Sequence, residues 1–344
     1  MSEIKVMRKK NTMLMLAALL ILLSLGLWGG QLLSRQYQPV DPGDLNWIDL
    51  NIPPASNAAG IAALLKSQDL IRNEDFFLAY CRQQGLDNQL KAGHYRFSRS
   101  QGLAEIASAI AEGRVVKLSL TIPEGYTVDQ IGELLVGRGI CSPEEWKQVA
   151  GDDYDFSFLK AQRSSAVKHP LEGFLFPDTY TIEESTSAKE IVKIMLTRFE
   201  TVWNDQFAGL AQAQNRNMME VVTTASLIEE EAGIASERAQ IAGVIKNRLD
   251  MDMLLQIDAT VLYCLGTNKP VVTYADLQVN SPYNTYLYPG LPPGPIACPG
   301  QASIQAALAP ENHHYLYYVA RGDGSHEFTA TFGEHLAAQR RYAN

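Results

Sequence analysis

Residues 11–34 contain no ionisable side chain, and within them residues 13–27 are almost wholly Leu, Ile, Ala and Met. A helix of about 20 apolar residues spans the hydrocarbon core of a bilayer, so this run is long enough to cross as one helix. The alternative is a cleaved signal peptide. Its apolar region is about 7 to 15 residues and ends in a small-residue cleavage site, whereas this run is longer and no clear Ala-x-Ala site follows it. The expectation is therefore an uncleaved, single-pass anchor over 11–34. Lys5, Arg8, Lys9 and Lys10 stand before it and only Arg35 directly after it. The positive-inside bias then leaves the tail 1–10 in the cytoplasm and places the remainder on the outer, periplasmic face of the inner cell membrane.

The chain has 29 basic and 38 acidic side chains, a formal net charge of −9. An acidic chain with no basic patch beyond its N-terminus is poorly suited to gripping phosphates, which argues against a nucleic-acid partner. Charged residues make up 19%, against about 25% in typical soluble domains, and the deficit fits a membrane segment plus a broad apolar core. Cys81, Cys141, Cys264 and Cys298 are widely spaced without a C-x-x-C pair. They read as unpaired core residues.

After a linker over 35–48 the chain repeats itself. Residues 50–76 read LNIPPASNAAGIAALLKSQDLIRNEDF and residues 120–146 read LTIPEGYTVDQIGELLVGRGICSPEEW. Six pairs are identical around one scaffold: Leu50/Leu120, Ile52/Ile122, Pro53/Pro123, Ile61/Ile131, Leu64/Leu134 and Leu65/Leu135. Glu74/Glu144 and Phe76/Trp146 extend the match. Each copy reads as a short strand, a turn, a helix with i, i+3, i+4 apolar spacing and a second helix start. Residues 94–114 offer another strand and helix. The pattern predicts small α+β modules, one over 49–118 and a second, with a connector, over 119–186. Ser187 reads as the N-cap of a helix running to about Trp203, and opens a last domain over 187–344.

In that domain, Met218 to Ala232 has helical periodicity, with Val221, Ala225, Ile228 and Ala232 on one stripe, and Gly233 reads as its terminator. A second helix is expected from Ser236 and Glu237 to about Leu249. The first helix ends in Glu229, Glu230 and Glu231. On a helical wheel Glu230 points away from the stripe and Glu229 lies on one shoulder. Glu231 lies on the other, with Leu227 and Ile228 beneath it. Desolvation and the negative end of the helix dipole would both raise the pKa of Glu231. A carboxylic acid that stays protonated near neutrality is what glycosidic cleavage needs, since the leaving oxygen must receive a proton. The competing reading is an ordinary solvated acidic face.

Asp258 is placed to cap a short helix beginning at Ala259. Residues 280–300 then read NSPYNTYLYPGLPPGPIACPG, a long irregular stretch of the kind that is usually functional or disordered. Tyr283, Asn284, Thr285 and Tyr286 supply flat faces, amides and hydroxyls suited to neutral sugars. The alternative is a rigid Pro/Gly loop holding two core tyrosines. Downstream, YLYYVARGDGSHEFTA reads as a hairpin around an Asp-Gly turn, with His326 and Phe328 on one face. His313, His314 and His326 lack the partners and spacing of a metal site, and no Walker, Rossmann or G-x-S-x-G motif is present. No metal or organic cofactor is expected.

The ordered set ASLIEEEAGIASERAQIAGVIKNRL, QIDATVLY, SPYNTYLYPGLPPGPIACPG and HEFTATFGEH, with KAGHYRF and EGFLFPDTY upstream, resembles the YceG-like family of endolytic murein transglycosylases. The resemblance runs from about Leu50 to the C-terminus. It implies an α+β architecture with a single N-terminal transmembrane helix, a LysM-like module, and an α+β catalytic domain with lysozyme-like features. It implies cleavage of the MurNAc-GlcNAc β-1,4 bond of nascent glycan strands, with 1,6-anhydro-MurNAc ends that set strand length, and association with penicillin-binding proteins of the cell-wall synthesis complex. The family's catalytic acid falls on Glu231. Where the family often has Thr or Ser next, this chain has Ala232. Gln256, Asp258, Tyr283, Asn284, Tyr286 and His326 are the residues expected to position sugar. The alternative from another class is a non-catalytic peptidoglycan-binding anchor that recruits cell-wall synthases.

Overall fold

The computed structural model describes residues 16, 19–24, 28–160, 166–267 and 269–342. The expected cytoplasmic tail 1–10 lies outside the described residues, as do residues 11–15, 17, 18 and 25–27 of the expected anchor. Residues 19–24 and 28–37 are helical, and the side chains of Leu19, Leu20, Ile21, Leu22 and Leu23 are each exposed. Among the described residues no helix is long and apolar enough to cross a membrane.

The described chain is α+β, with three two-stranded sheets among many helices. It divides into two compact units. The first comprises residues up to Leu118 together with Glu183–Ser185. Its strand β1 (Trp47–Ile52) pairs antiparallel with β2 (Gly93–Ser98), Leu50 opposite Tyr95. Helices α1 (Ala58–Ser67) and α2 (Glu74–Gln84) lie between them in sequence, and α3 (Leu103–Glu112) follows β2. Asn57 and Asn73 cap α1 and α2 by accepting backbone N–H groups, and Gly85 ends α2 in the left-handed conformation. Ile52, Ile61, Leu65, Phe77, Tyr95, Ile106 and Ile110 form the core, each buried aliphatic side chain contributing about 1.5–3 kcal/mol. Residues 183–185 join this unit because Glu184 donates its N–H to Val116 and holds the His94 ring at 2.9 Å.

The second unit takes in Ser119–Ile182 and Thr186–Asn344, so residues 119–182 pack with the last domain rather than standing as a module of their own. Strand β3 (Lys117–Thr121), helices α4 (Val128–Gly137) and α5 (Pro143–Ala150), strand β4 (Thr179–Glu183) and helix α6 (Ala188–Val202) follow the element order of the first copy, and β3 pairs with β4. The repeated positions match in burial as well as identity. Leu50/Leu120, Ile52/Ile122, Ile61/Ile131 and Leu65/Leu135 are buried in both copies, and Leu64/Leu134 are half-buried in both. The correspondence runs further than residues 120–146: Tyr95 and Ile106 have counterparts in Tyr180 and Ile191, all four buried. Helix α6 is thus the fifth element of the second copy, although Ser187 does cap it, in a reciprocal capping box with Glu190. Phe158, Phe174, Phe199, Trp203 and Phe207 form a chain of ring contacts through this unit.

Candidate active site

Helix α7 (Met218–Glu231) begins at Asn217, whose side chain accepts the Glu220 N–H. Every residue from Val221 to Ile228 is buried, so it is a central helix enclosed all round rather than an amphipathic one with a single stripe. Two of its polar side chains are provided for: Thr224 donates to the Glu220 carbonyl, and Ser226 donates to the Thr223 carbonyl and accepts the Ile296 N–H. Small side chains bring it close to α10 (Gln301–Leu308), where Ser303, Ala306 and Ala307 are buried. The helix stops because Ala232 turns extended, with φ −81° and ψ 100°. Gly233 does not take the left-handed conformation expected of a terminator. A Cβ there would lie 2.2 Å from the Gly324 carbonyl oxygen, so close backbone approach is what requires glycine.

The three glutamates have different surroundings. Glu229 is tied down: Arg238 Nη2 lies 3.1 Å from Oε1, and the Gly300 N–H donates to Oε2 at 2.8 Å. Its side chain is only 6% exposed, and the pair joins α7 to the start of α10. Glu230 is exposed along its flank yet crowded by protein. Desolvation, followed by repulsion from Glu229 and Glu231, pushes its carboxyl up to about 7. Glu124, from the Ile-Pro turn of the second repeat, is also raised, chiefly by burial and then by Glu229.

Glu231 is the glutamate that reaches the aromatic constellation. Tyr318 donates its hydroxyl to Oε2 at 2.8 Å. Burial raises the Glu231 pKa most, and the charge of Asp258 adds to it. The Tyr318 hydrogen bond, His326 and Arg248 act in the opposite sense. The net displacement is upward, as the wheel argument requires.

Tyr318 belongs to a hairpin of β5 (Tyr317–Ala320) and β6 (His326–Thr329), paired antiparallel with Tyr318 opposite Phe328. Asp323 and Gly324 make the turn, the expected Asp-Gly, with Gly324 at φ 87°. His326 and Phe328 share the Tyr318 face, their ring centroids 5.4 and 6.0 Å from it. His326 donates its backbone N–H to Glu237 Oε1 at 3.0 Å, and its Nδ1 lies 2.7 Å from Oε2. A carboxylate against Nδ1 calls for the proton on that nitrogen.

Helix α8 (Arg238–Asp250) supplies Arg248, a buried cation that bonds to main chain. Its Nε donates to the Leu316 carbonyl at 2.6 Å, and its Nη1 to those of Leu255 and Leu254 at 2.7 and 3.1 Å. The guanidinium also lies over the Tyr317 ring. Gln256 is exposed and left-handed, with φ 55°, a conformation that costs a non-glycine residue about 1 kcal/mol or more and tends to be kept near functional sites. Its N–H donates to the Thr285 carbonyl. Asp258 is the first residue of α9 (Asp258–Leu265) and not its cap, which is Ile257. Its carboxylate instead accepts the Tyr286 hydroxyl at 2.5 Å. Glu231, Gln256, Asp258, Tyr286 and His326 therefore gather in one region.

Tyr283 and Asn284 do not present free faces to it. Tyr283 is buried against Tyr263, and its hydroxyl accepts the Lys168 N–H. Asn284 is fully buried, donating to the Leu277 and Val279 carbonyls and accepting the Tyr286 N–H. Both hold the 280–300 loop in shape, the structural alternative for that loop, and so aim Tyr286. Sequence reasoning passed over Tyr318, Glu237 and Arg248. The visible signal for Tyr318 was its place in the same expected hairpin as His326 and Phe328. All four cysteines are free, and among the described residues no group of His, Cys, Asp and Glu is arranged to hold a metal.

Residues 50–341 match the YceG-like family along almost the whole described length. The chain belongs to that family. Among YceG-like relatives, the endolytic murein transglycosylase of Bacillus subtilis strain 168 is 34% identical over 316 residues, 89% of this chain and 87% of that protein. The endolytic murein transglycosylase of Streptococcus pneumoniae D39 is 30% identical over 321 residues. That match covers 86% of this chain but 58% of the longer pneumococcal protein. A crystal structure of a YceG-like protein from Listeria monocytogenes superposes with a TM-score of 0.60 at 36% identity, covering 85% of this chain and 99% of that one.

Proposed function

We propose that this protein is an endolytic lytic transglycosylase of peptidoglycan, held in the cell membrane by residues 11–34, with Glu231 as its catalytic acid. The observation that carries the reading is the Glu231 carboxyl itself: half-buried, raised in pKa and hydrogen-bonded by Tyr318, in a chain whose relatives bear the name endolytic murein transglycosylase. A raised carboxyl is protonated where a free one would be ionised, so it can donate to a glycosidic oxygen near neutral pH.

In the first step Glu231 protonates the oxygen of the MurNAc-GlcNAc β-1,4 bond, and positive charge develops at C1 of MurNAc. The anionic Asp258, held by Tyr286, is placed to stabilise that charge. In the second step the Glu231 carboxylate takes the proton of the C6 hydroxyl as that oxygen closes on C1, which leaves a 1,6-anhydro end. One carboxyl serves both steps, unlike the acid and nucleophile pair of most glycosidases. Gln256, Tyr286 and His326 position the sugars, and Tyr283 and Asn284 act through the loop they hold.

The βααβ order of the first unit, with its antiparallel pair of strands, supports a LysM-like, glycan-holding module over 49–118. A buried helix ending in the acid supports lysozyme-like features in the catalytic domain. The uncharged run 11–34 and the exposed leucines within it support an anchor that places the domain on the periplasmic face, beside the synthases that extend nascent strands.

Detergent-solubilised protein incubated with purified glycan strands is expected to release fragments with anhydro ends, lighter by one water than hydrolysis products in mass spectra. Reducing MurNAc ends would indicate a hydrolase. Capture of strands without cleavage, unchanged by Glu231→Gln, would indicate a binding anchor.

A further inference from the structure

We infer that Tyr318 is a positioning residue that divides the work between the two oxygens of Glu231, holding Oε2 and leaving Oε1 to carry the proton in both steps. This rests on the reading of Glu231 as the acid. The Tyr318 hydroxyl lies 2.8 Å from Oε2, and a phenol has one proton to give. Burial and the neighbouring Glu231 keep that phenol far above its ordinary titration range, so it donates throughout the working pH range. In a neutral carboxylic acid the carbonyl oxygen is the better acceptor. A permanent donor at Oε2 therefore places the carbonyl there and the O–H at Oε1.

In the first step the Oε1–H bond breaks, the proton passes to the glycosidic oxygen, and that oxygen leaves with the C1–O electron pair. In the second, the C6 oxygen bonds to C1 and its proton returns to Oε1. Glu231 ends as it began, and no water is consumed. Between the two steps Glu231 is a carboxylate, and the Tyr318 hydrogen bond to it is then charge-assisted and at its strongest. The contact thus favours the state through which the reaction passes more than the state in which it starts.

The hairpin, and with it Tyr318, packs against the helix Phe332–Tyr342 and is held by further attachments. Arg248 grips the Leu316 carbonyl just before β5, Gly324 sits against Gly233 at the turn, and Glu237 holds both the N–H and Nδ1 of His326. The other groups facing Glu231 are Asp258 on α9, Arg248 on α8, His326 on β6, Tyr286 on the 280–300 loop and the adjacent Glu230. Asp258 and Glu230 oppose its ionisation, and Arg248 and His326 favour it.

Tyr318→Phe keeps the ring and removes the donor. It is expected to lower kcat by about tenfold to a hundredfold with little change in KM. The basic limb of the pH profile should also move upward by roughly one pH unit, because the ionised form of Glu231 has lost its hydrogen bond. A merely structural role would reduce activity and leave that limb where it was. Replacing Tyr318 with 3-fluorotyrosine, a more acidic donor that preserves packing, is expected to move the limb downward, and this keeps the test open should the phenylalanine variant fold poorly. Glu231→Gln separates the two layers. If that variant is active, the reading of the acid falls. If it is inactive and neither Tyr318 replacement moves the limb, the role of Tyr318 alone falls.

Discussion

Gly233 and Gly324 meet backbone against backbone: a Cβ on Gly233 would lie 2.2 Å from the Gly324 carbonyl oxygen and 3.4 Å from its Cα. The first glycine follows the helix that ends in Glu231, and the second turns the hairpin that carries Tyr318 and His326. Two segments distant in sequence are thereby placed at one fixed separation, and the acid and its hydrogen-bond donor are assembled across that contact.

Gly233→Ala tests this directly. The methyl group cannot be accommodated without moving the turn, and overpacking of this kind costs about 1–3 kcal/mol. A displacement of about 1 Å at a reacting group is enough for roughly a hundredfold loss of rate. The variant is expected to fold, with a lowered Tm, and to cleave glycan far more slowly. Wild-type Tm and wild-type rate together would show that the hairpin does not depend on the contact.

Glu231→Gln should separate activity from stability. The amide can still accept the Tyr318 hydroxyl but cannot shuttle a proton, and cleavage should fall by about a hundredfold to ten-thousandfold. Because the folded pKa of Glu231 is raised, the wild type carries a penalty for its buried charge that grows as pH rises, and the amide carries none. The variant's Tm relative to wild type should therefore be higher at pH 8 than at pH 5. Glu229→Gln is expected to do the reverse, losing stability with its Arg238 ion pair while retaining cleavage. A Glu231→Gln variant with full activity beside an inactive Glu229→Gln would move the acid to Glu229.

Arg248→Lys probes the buried cation. A lysine ammonium cannot reach the Leu316 carbonyl and the Leu254 and Leu255 carbonyls in the fork geometry that the guanidinium spans. Breaking such a network is expected to cost about 2–4 kcal/mol, seen as a lower urea midpoint. It should also raise KM for glycan, because the left-handed Gln256 turn loses its clamp. Unchanged unfolding and unchanged KM would mean that the carbonyls are satisfied some other way.

The legible part of this molecule is the part written in local periodicity. The strand, turn and helix of each repeat, the N-cap at Ser187 and the Asp-Gly hairpin follow from spacing within a few residues, and the structure has them where the spacing puts them. Glu231 was open to the same reading, because its position relative to Leu227 and Ile228 is a property of one helix. Its partners were not. Tyr318 and Glu231 are brought together by long-range packing, and no periodicity connects them. Tyr283 and Asn284 looked like sugar contacts from their chemistry. Their burial depends on Tyr263, Lys168 and the Leu277 and Val279 carbonyls, which only the folded loop brings round them.

Glu172 is a fully buried carboxyl that the proposed mechanism does not use. Its Oε1 accepts the Val128 N–H at 3.0 Å, at the start of α4, and its Oε2 accepts the Tyr263 hydroxyl at 3.1 Å. Burial, outweighing both hydrogen bonds, pushes it from the usual 4.5 up to about 8. Below pH 4.5 the side chain is neutral whether folded or unfolded, and its contribution to stability is complete. As pH rises, the unfolded chain gives up this proton first while the folded chain keeps it, so stability falls progressively until the folded carboxyl ionises near pH 8. Linkage puts the total change on the order of 5 kcal/mol. Glu172→Gln keeps an acceptor for Val128 and cannot ionise, so urea unfolding of this variant should lose less stability between pH 5 and pH 8 than the wild type does, with glycan cleavage preserved. Glu230 and Glu231 slope the same way in both proteins and cancel in the comparison. Parallel stability curves for the two proteins would mean that Glu172 is already ionised in the fold at pH 5.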